Sequence, residues 1–339
     1  ESGAGNAAEY TDEDYQAAGA TVASRDEVIA TADALGFIDR PSAETVAKLK
    51  AGQWVIGMLG SFTDTAYVES LSNAGLVGVA IEKLPRQLSS AQSMDEMTSQ
   101  NSVMGYKAAI TAANAYGAFL PMMTTAAGTI RPAKALVLGA GIAGLQAIGT
   151  LKRLGAVVTA YDVRPASKGE VESLGAKFLD LGLDFSKGQG EGGYARALSA
   201  EEQAQQQAAV DEKASGFDIV ITTAKVPGRK PPVLLTKAGV NGLHRGAVIV
   251  DCAASDLGGN VEGSAVGEQV TEGGVKLIGA PYLASGVATT ASNLLSRNVA
   301  DVLSHFVRDG KLGMDLTEEL DNALVVAGRI EPAEKKEEK

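Results

Sequence analysis

The chain has 339 residues, more than one hydrophobic core usually organises, so two globular units with a cleft between them are expected. Apolar residues make up 45% of it and charged residues 21%, with 40 glycines, a balance that argues against disordered and fibrous classes. A net charge of −11 argues against a nucleic-acid surface; one cysteine excludes an internal disulfide and a multi-cysteine metal site, and two well-separated histidines argue against a histidine-rich one.

The opening ESGAGN carries loop residues with no strand before it, so an initial strand and helix are expected to be missing. From there to about residue 85, apolar runs (VASRDEVIATADALGFI, WVIGMLGSF, LVGVAIE) alternate with helix-like stretches (AETVAKLKAG, TAYVESLSNAG). That rhythm predicts βα units on a parallel sheet. Ser93 to Tyr116 has no proline and keeps apolar residues at helical spacing, which predicts one long helix.

After the loop FLPMMTTAAGTIRP, the segment KALVLGAGIAGLQAIGTLKRLGAVVTAYDVRP reads as strand, glycine turn, helix and second strand. FDIVITTA, GAVIVDC and GVKLIGA continue the parallel sheet to about residue 280. Asp184 to Gln207, with GQGEGGYAR inside it, reads as a mobile loop, and TTASNLLSRNVADVLSHFVRDG as a second long helix. The last residues, EPAEKKEEK, read as a solvated tail. No apolar run approaches the ~18 residues that span a bilayer, and no signal-peptide plan opens the chain, so any membrane association is expected through a partner.

Gly139, Gly141 and Gly144 form GxGxxG directly after the strand KALVL and at the start of a helix. The first glycine permits the tight turn, the second lets backbone approach a pyrophosphate, and the third allows helix and strand to pack closely. Unpaired N–H groups at the helix start attract the phosphates. Asp162 ends the next strand, about 20 residues on, where a carboxylate accepts hydrogen bonds from ribose hydroxyls and repels a 2′-phosphate. NAD is therefore favoured over NADP, although Arg164, just past that strand, can instead meet a 2′-phosphate. Asp251, ending GAVIVD, can touch the nucleotide or serve in a cap or turn.

VLGAGIAGLQAIGTLKRLGAVVTAYD resembles the nucleotide-binding signature shared by alanine dehydrogenases and the alpha subunit of NAD(P) transhydrogenase. PRQLSSAQSMDEMTSQNSVMGYKAA, TTAAGTIRPA, VESLGAKFLDL, GGYAR and DIVITTAKVPG also resemble the transhydrogenase subunit, so the likeness runs from ESGAG to about residue 310. It implies an α/β fold of two Rossmann-like parallel-sheet domains, the NAD-binding one inserted into the other and bridged by two long helices. The outer domain would be 1–95 with 288–325, the nucleotide domain 96–287, and the charged tail 326–339.

The resemblance implies that Arg86, Gln92, Asp95 and Thr98 orient the nicotinamide and contact the partner. On residue type alone, Arg86 and Asp95 can also be a surface ion pair, and Gln92 and Thr98 a helix cap or solvent-facing groups. Around the nucleotide it implies Gly139, Gly141, Ile142, Gly144, Asp162, Val163, Arg164, Gly193, Tyr194, Gln206, Ala224 and Lys225. Tyr194 matches the tyrosine of a loop that closes over nucleotide, though it can also be an exposed aromatic. Three departures stand out: one residue more in PRQLSSAQ, Ser90 where a second arginine is usual, and Lys225 in place of a leucine.

The implied activity is a Re/Si-specific, proton-translocating transhydrogenation in which NAD(H) is bound here and NADP(H) only on a partner. The implied partners are a membrane-spanning second portion of the alpha subunit and an NADP-binding beta subunit, at the cytoplasmic face of the membrane, with this chain a homodimer that does not itself insert. Two alternatives differ in chemistry. An alanine dehydrogenase-like enzyme needs a general acid, which that family takes from a first-domain histidine together with a lysine. The first domain here has no histidine, the corresponding segment reading VIGMLGSF, which argues against that activity. A non-catalytic NAD-sensing module is the third reading.

Overall fold

The computed structural model describes residues 1–183, 198–225 and 229–329. It divides into two compact units, Glu1–Gln100 with Ala288–Lys339, and Asn101–Val287.

In the first unit three parallel strands, Ala34–Asp39, Trp54–Met58 and Val77–Ala80, lie side by side in chain order, and Val325–Ala327 adds antiparallel to the third. Side chains alternate across this sheet. Trp54, Ile56, Val77 and Val79 face Val302 and Phe306 from the helix Ala288–His305 and its end, with the Trp54 and Phe306 rings 5.2 Å apart. Leu35, Val55 and Ala80 face the other way, onto Ile29, Val46 and Leu71.

Two expectations are corrected in this unit. VASRDEVIATADALGFI is not one extended run: Arg25–Thr31 is a helix, because the Ser24 side chain accepts the Glu27 N–H and caps it, and the strand starts only at Ala34. The segment from residue 326 on is not all solvated tail, since Ala327 is buried in the sheet. Residues 330–339 lie outside the described residues.

The second unit holds a seven-stranded sheet. From one edge the order runs Gly267–Val270, Lys276–Gly279, Val248–Asp251, Ile219–Thr222, Lys134–Leu138, Val157–Tyr161, Lys177–Phe178. All neighbours are parallel except the first pair. The edge strand GEQV is exposed along its length and has no apolar alternation, so the sequence offered no signal for it.

Lys134–Leu138 comes first in the chain. Later strands are added first on one side of it and then, beginning with Ile219–Thr222, on the other. The order therefore reverses between these two strands, and the crevice beyond their C-terminal ends is where ligands sit in such sheets. Both faces are covered: Ala135, Val137, Ile219 and Ile221 pack on the helices Glu96–Ala115 and Ile142–Arg153, and Leu136, Leu138, Val220 and Ile249 on Val210, Ala214 and Val240.

The expected mobile loop ends earlier than its reading to Gln207. A capping box between Ser199 and Glu202 starts a helix at Ala200 that runs to Ala214. Among the described residues, no helix is long and apolar enough to cross a membrane.

Candidate functional site

The reversal point is built from glycine. Gly139 takes φ +97°, and a Cβ there would lie 2.8 Å from Thr223 Oγ1 and 3.1 Å from the Ala224 nitrogen. Gly144 sits on the first turn of the helix Ile142–Arg153, where a Cβ would lie 1.9 Å from the Gly139 carbonyl oxygen. Strand, turn and helix can approach this closely only without side chains at both positions.

Gly141 is different. Its backbone is extended at φ −78°, ψ −166°, which any residue adopts, and the nearest atom to a Cβ is Arg164 Nη2 at 3.9 Å. Among the described residues nothing requires glycine here, and none of them fills the space a side chain would take. Gly141 also caps the helix without offering it a side chain, so the N–H groups of the first turn face that space. Open room, outward N–H groups and the positive end of a helix together fit a diphosphate.

Asp162 closes one side of the corner. Its Oδ2 accepts the Ala140 N–H at 2.8 Å, and its Oδ1 accepts the Arg164 N–H at 2.8 Å. The Arg164 guanidinium lies across both oxygens and is held charged chiefly by that hydrogen bonding. Just behind, Gln206 is buried and its amide donates to the Tyr161 hydroxyl at 3.2 Å, while burial pushes that hydroxyl up to about 12. Gln206 therefore supports the strand end that carries Asp162.

On the opposite wall the Thr223 hydroxyl donates to the Gly139 carbonyl at 2.9 Å, and the buried Asn260 amide donates to the Ala224 carbonyl at 2.8 Å. Lys225 follows, exposed. Val163 is half-buried against the sheet face that holds Leu138 and Val220. Asp251 is fully buried, accepting from the Thr222 hydroxyl and the Ala253 and Val261 N–H groups. Its place is in holding the loop after its strand.

A second polar group lies in the other unit. Arg86 Nε donates to Asp95 Oδ2 at 2.9 Å and its Nη2 to Thr98 Oγ1 at 2.9 Å. Thr98 in turn donates its hydroxyl to Asp95 Oδ2 at 2.6 Å and its N–H to Oδ1 at 2.8 Å, so Asp95 caps the helix that begins at Glu96. The three side chains form a closed, part-buried ring. Gln92 is exposed on the preceding 3-10 turn and contributes to the ring only a carbonyl, which accepts the Asp95 N–H at 3.3 Å. Ser90 is exposed beside it.

Two models of known families cover the chain: the N-terminal domain of alanine dehydrogenase/PNT over residues 1–104 and its C-terminal domain over residues 108–330. The chain belongs to the alanine dehydrogenase/PNT family.

Within that family it is 42% identical over 314 residues to a Rickettsia prowazekii protein named as the first portion of the NAD(P) transhydrogenase alpha subunit, an alignment spanning 90% of this chain and 80% of the relative. It is 29% identical over 269 residues to alanine dehydrogenase of Mycobacterium tuberculosis, covering 78% and 66%. Among solved structures, transhydrogenase from Sinorhizobium meliloti superposes with a TM-score of 0.84 at 40% identity, over 96% of this chain and 88% of that one.

For an alanine dehydrogenase/PNT chain, the histidine question needs one correction. The first 100 residues hold none, but the helix Ala288–His305 brings His305 into the same unit. There His305 Nε2 lies 2.5 Å from the buried Asp321, which also accepts Arg308 at 2.9 Å. His305 is thereby tied into a structural cluster. Glu318 and Asp321, which group with His305, also bind the Arg308 guanidinium, at 3.2 and 2.9 Å.

Gly193 and Tyr194 lie outside the described residues. Thr223 and Asn260, which brace the corner, carry no sequence motif. Thr223 stands within TTAK, but its partner, Gly139, is 84 residues away.

Proposed function

We propose that this chain is the NAD(H)-binding component of a Re/Si-specific, proton-translocating NAD(P) transhydrogenase, which passes hydride to NADP+ held by a separate beta subunit. The observation that carries the reading is the open backbone at Gly141 beside the Asp162 carboxylate, in a chain 42% identical to the first portion of a transhydrogenase alpha subunit. Bound at this corner, NAD(H) supplies the hydride.

The residues then divide the work. Gly139, Gly141 and the helix start at Ile142 hold the diphosphate; Gly144 lets the helix come close enough to do so. Asp162 takes the ribose hydroxyls and, by its charge, turns away a 2′-phosphate. Val163, Arg164, Ala224, Lys225, Gly193 and Tyr194 complete the nucleotide contacts, and Gln206 acts through Tyr161. Arg86, Asp95, Thr98 and Gln92 orient the nicotinamide. Transfer of hydride between two nicotinamides needs placement rather than an acid or base, so a ring of fixed hydrogen bonds is the equipment suited to it.

In this reading the partners are the membrane-spanning second portion of the alpha subunit and the NADP-binding beta subunit, and proton movement belongs to the membrane-crossing parts. The present chain sits on the cytoplasmic face of the membrane through those subunits, as a homodimer. The test is to mix the purified chain with the NADP-binding subunit and follow hydride exchange between NADH and an NADP+ analogue. Exchange that requires both components supports the proposal. Tight NADH binding without exchange makes the chain a sensor instead, and alanine-dependent reduction of NAD+ makes it an amino-acid dehydrogenase.

A further inference from the structure

Next to the Arg86–Asp95–Thr98 ring stands a carboxyl group that the ring does not use. Glu96 is the first residue of its helix, and its Oε2 is buried with no hydrogen-bond partner among the described residues. An ionised oxygen in that state would lose its hydration and receive no donor in return. The neutral acid carries a smaller penalty.

The charges facing Glu96 sharpen the point. From the turn before the helix comes Asp95; from the 3-10 turn Ile81–Lys83 comes Glu82, itself buried; among the described residues the cation facing it is Arg86. Glu82 is well supplied with donors, accepting the Leu59 N–H at 3.2 Å and the Ser61 N–H and hydroxyl at 2.9 Å each. Asp95 is supplied by Thr98 and Arg86. Glu96 has two carboxylates for neighbours, and the cation facing it is already bonded to Asp95.

We infer that Glu96 is a positioning residue that holds its proton while Arg86 stays on Asp95 and Thr98, and that releases it only at the expense of that ring. Neutral, Glu96 leaves the guanidinium where the ring needs it. Ionised, with its proton given to solvent, it becomes a third carboxylate that repels Asp95 and competes for Arg86. Burial, then Asp95 and Glu82, push the Glu96 carboxyl up to about 7, while Arg86 opposes them, so the change falls in the neutral range. The inference rests on the proposed reading of the ring as the group that orients nicotinamide.

The experiment is the pH profile of hydride exchange and of NADH affinity for the chain with its NADP-binding partner, compared with Glu96→Gln. The wild type is expected to lose on the order of threefold to tenfold as pH rises through neutrality. Glu96→Gln, which cannot ionise, is expected to lift the alkaline limb by that factor and to remove the inflection. An unchanged inflection in Glu96→Gln overturns the inference. If that variant does not fold, the side-chain carboxyl carbons of labelled glutamates in the wild type decide the matter by NMR. A glutamate with a near-neutral midpoint supports the inference, and ordinary midpoints for all of them overturn it. Failure of the underlying reading looks different: Arg86→Ala and Thr98→Val would then leave hydride exchange untouched at every pH.

Discussion

The guanidinium of Arg164 lies along the carboxylate of Asp162, with Nε 2.9 Å from Oδ1 and Nη2 3.0 Å from Oδ2. Both oxygens that a ribose would use are therefore already bonded before nucleotide arrives. Asp162 also fixes the turn through the Ala140 N–H. One carboxylate thus fixes the shape of the corner and, in the proposed reading, selects the sugar.

Asp162→Ala removes an ionised acceptor from both jobs. NADH binding is expected to weaken about tenfold to hundredfold, since hydrogen bonds to a charged group contribute roughly 1.5–3 kcal/mol. Without the carboxylate, Arg164 can turn to a 2′-phosphate, so the preference for NADH over NADPH falls as well. Titration of the variant with both nucleotides checks this. Unchanged affinity and selectivity would remove Asp162 from the ribose site.

Gly141→Ala and Gly144→Ala separate ligand space from protein packing. At Gly141 the new methyl meets none of the described residues closer than 3.9 Å, so thermal stability should stay within about 0.5 kcal/mol while NADH affinity drops. At Gly144 it would lie 1.9 Å from the Gly139 carbonyl, forcing helix from strand at a cost of about 1–3 kcal/mol or more. Melting curves with and without NADH distinguish the two. Ligand-dependent stabilisation retained in Gly141→Ala would argue that the open space is not the diphosphate site.

Arg86→Lys tests the ring. A single ammonium cannot reproduce the separate Nε and Nη2 bonds to Asp95 and Thr98. Hydride exchange is expected to fall about tenfold or more with a smaller change in NADH affinity, because orientation is lost rather than binding. Equal loss in both would recast Arg86 as an ordinary binding group.

Stability carries its own trace of Glu96. Its carboxyl is raised from an ordinary 4.5 to about 7, so below pH 4.5 the folded and unfolded chains both hold the proton. Between those values only the folded chain does, and unfolding releases it, so stability falls as pH rises and the loss is complete above pH 7. Relative to Glu96→Gln, the wild type should lose about 1–3 kcal/mol across that window. Denaturant unfolding at several pH values measures it, and parallel curves for the two proteins would contradict it.

What could be seen in the sequence follows how local each determinant is. The corner was legible because strand, glycines, helix and Asp162 occupy one contiguous stretch, and Gly139 and Gly144 answer backbone requirements. The long helices were legible from period alone. The helix Arg25–Thr31 was hidden because its apolar residues run on into those of the next strand, and only the Ser24 cap separates them. Arg86, Asp95 and Thr98 came through resemblance, since residue type also allowed a surface pair. Glu96 and Glu82 were illegible: what matters about them is burial and mutual approach, which no spacing encodes. Thr223 and Asn260 brace the corner across 84 and 36 residues of chain, respectively, in contacts that leave no local pattern.

The most direct measurement is a calorimetric titration of the purified chain with NADH and, separately, with NADPH. Saturable NADH binding, with NADPH weaker by about tenfold or more, is the expected result, because Asp162 bears its charge where a 2′-phosphate would lie. Equal affinity for the two, or no binding of NADH, would contradict the account.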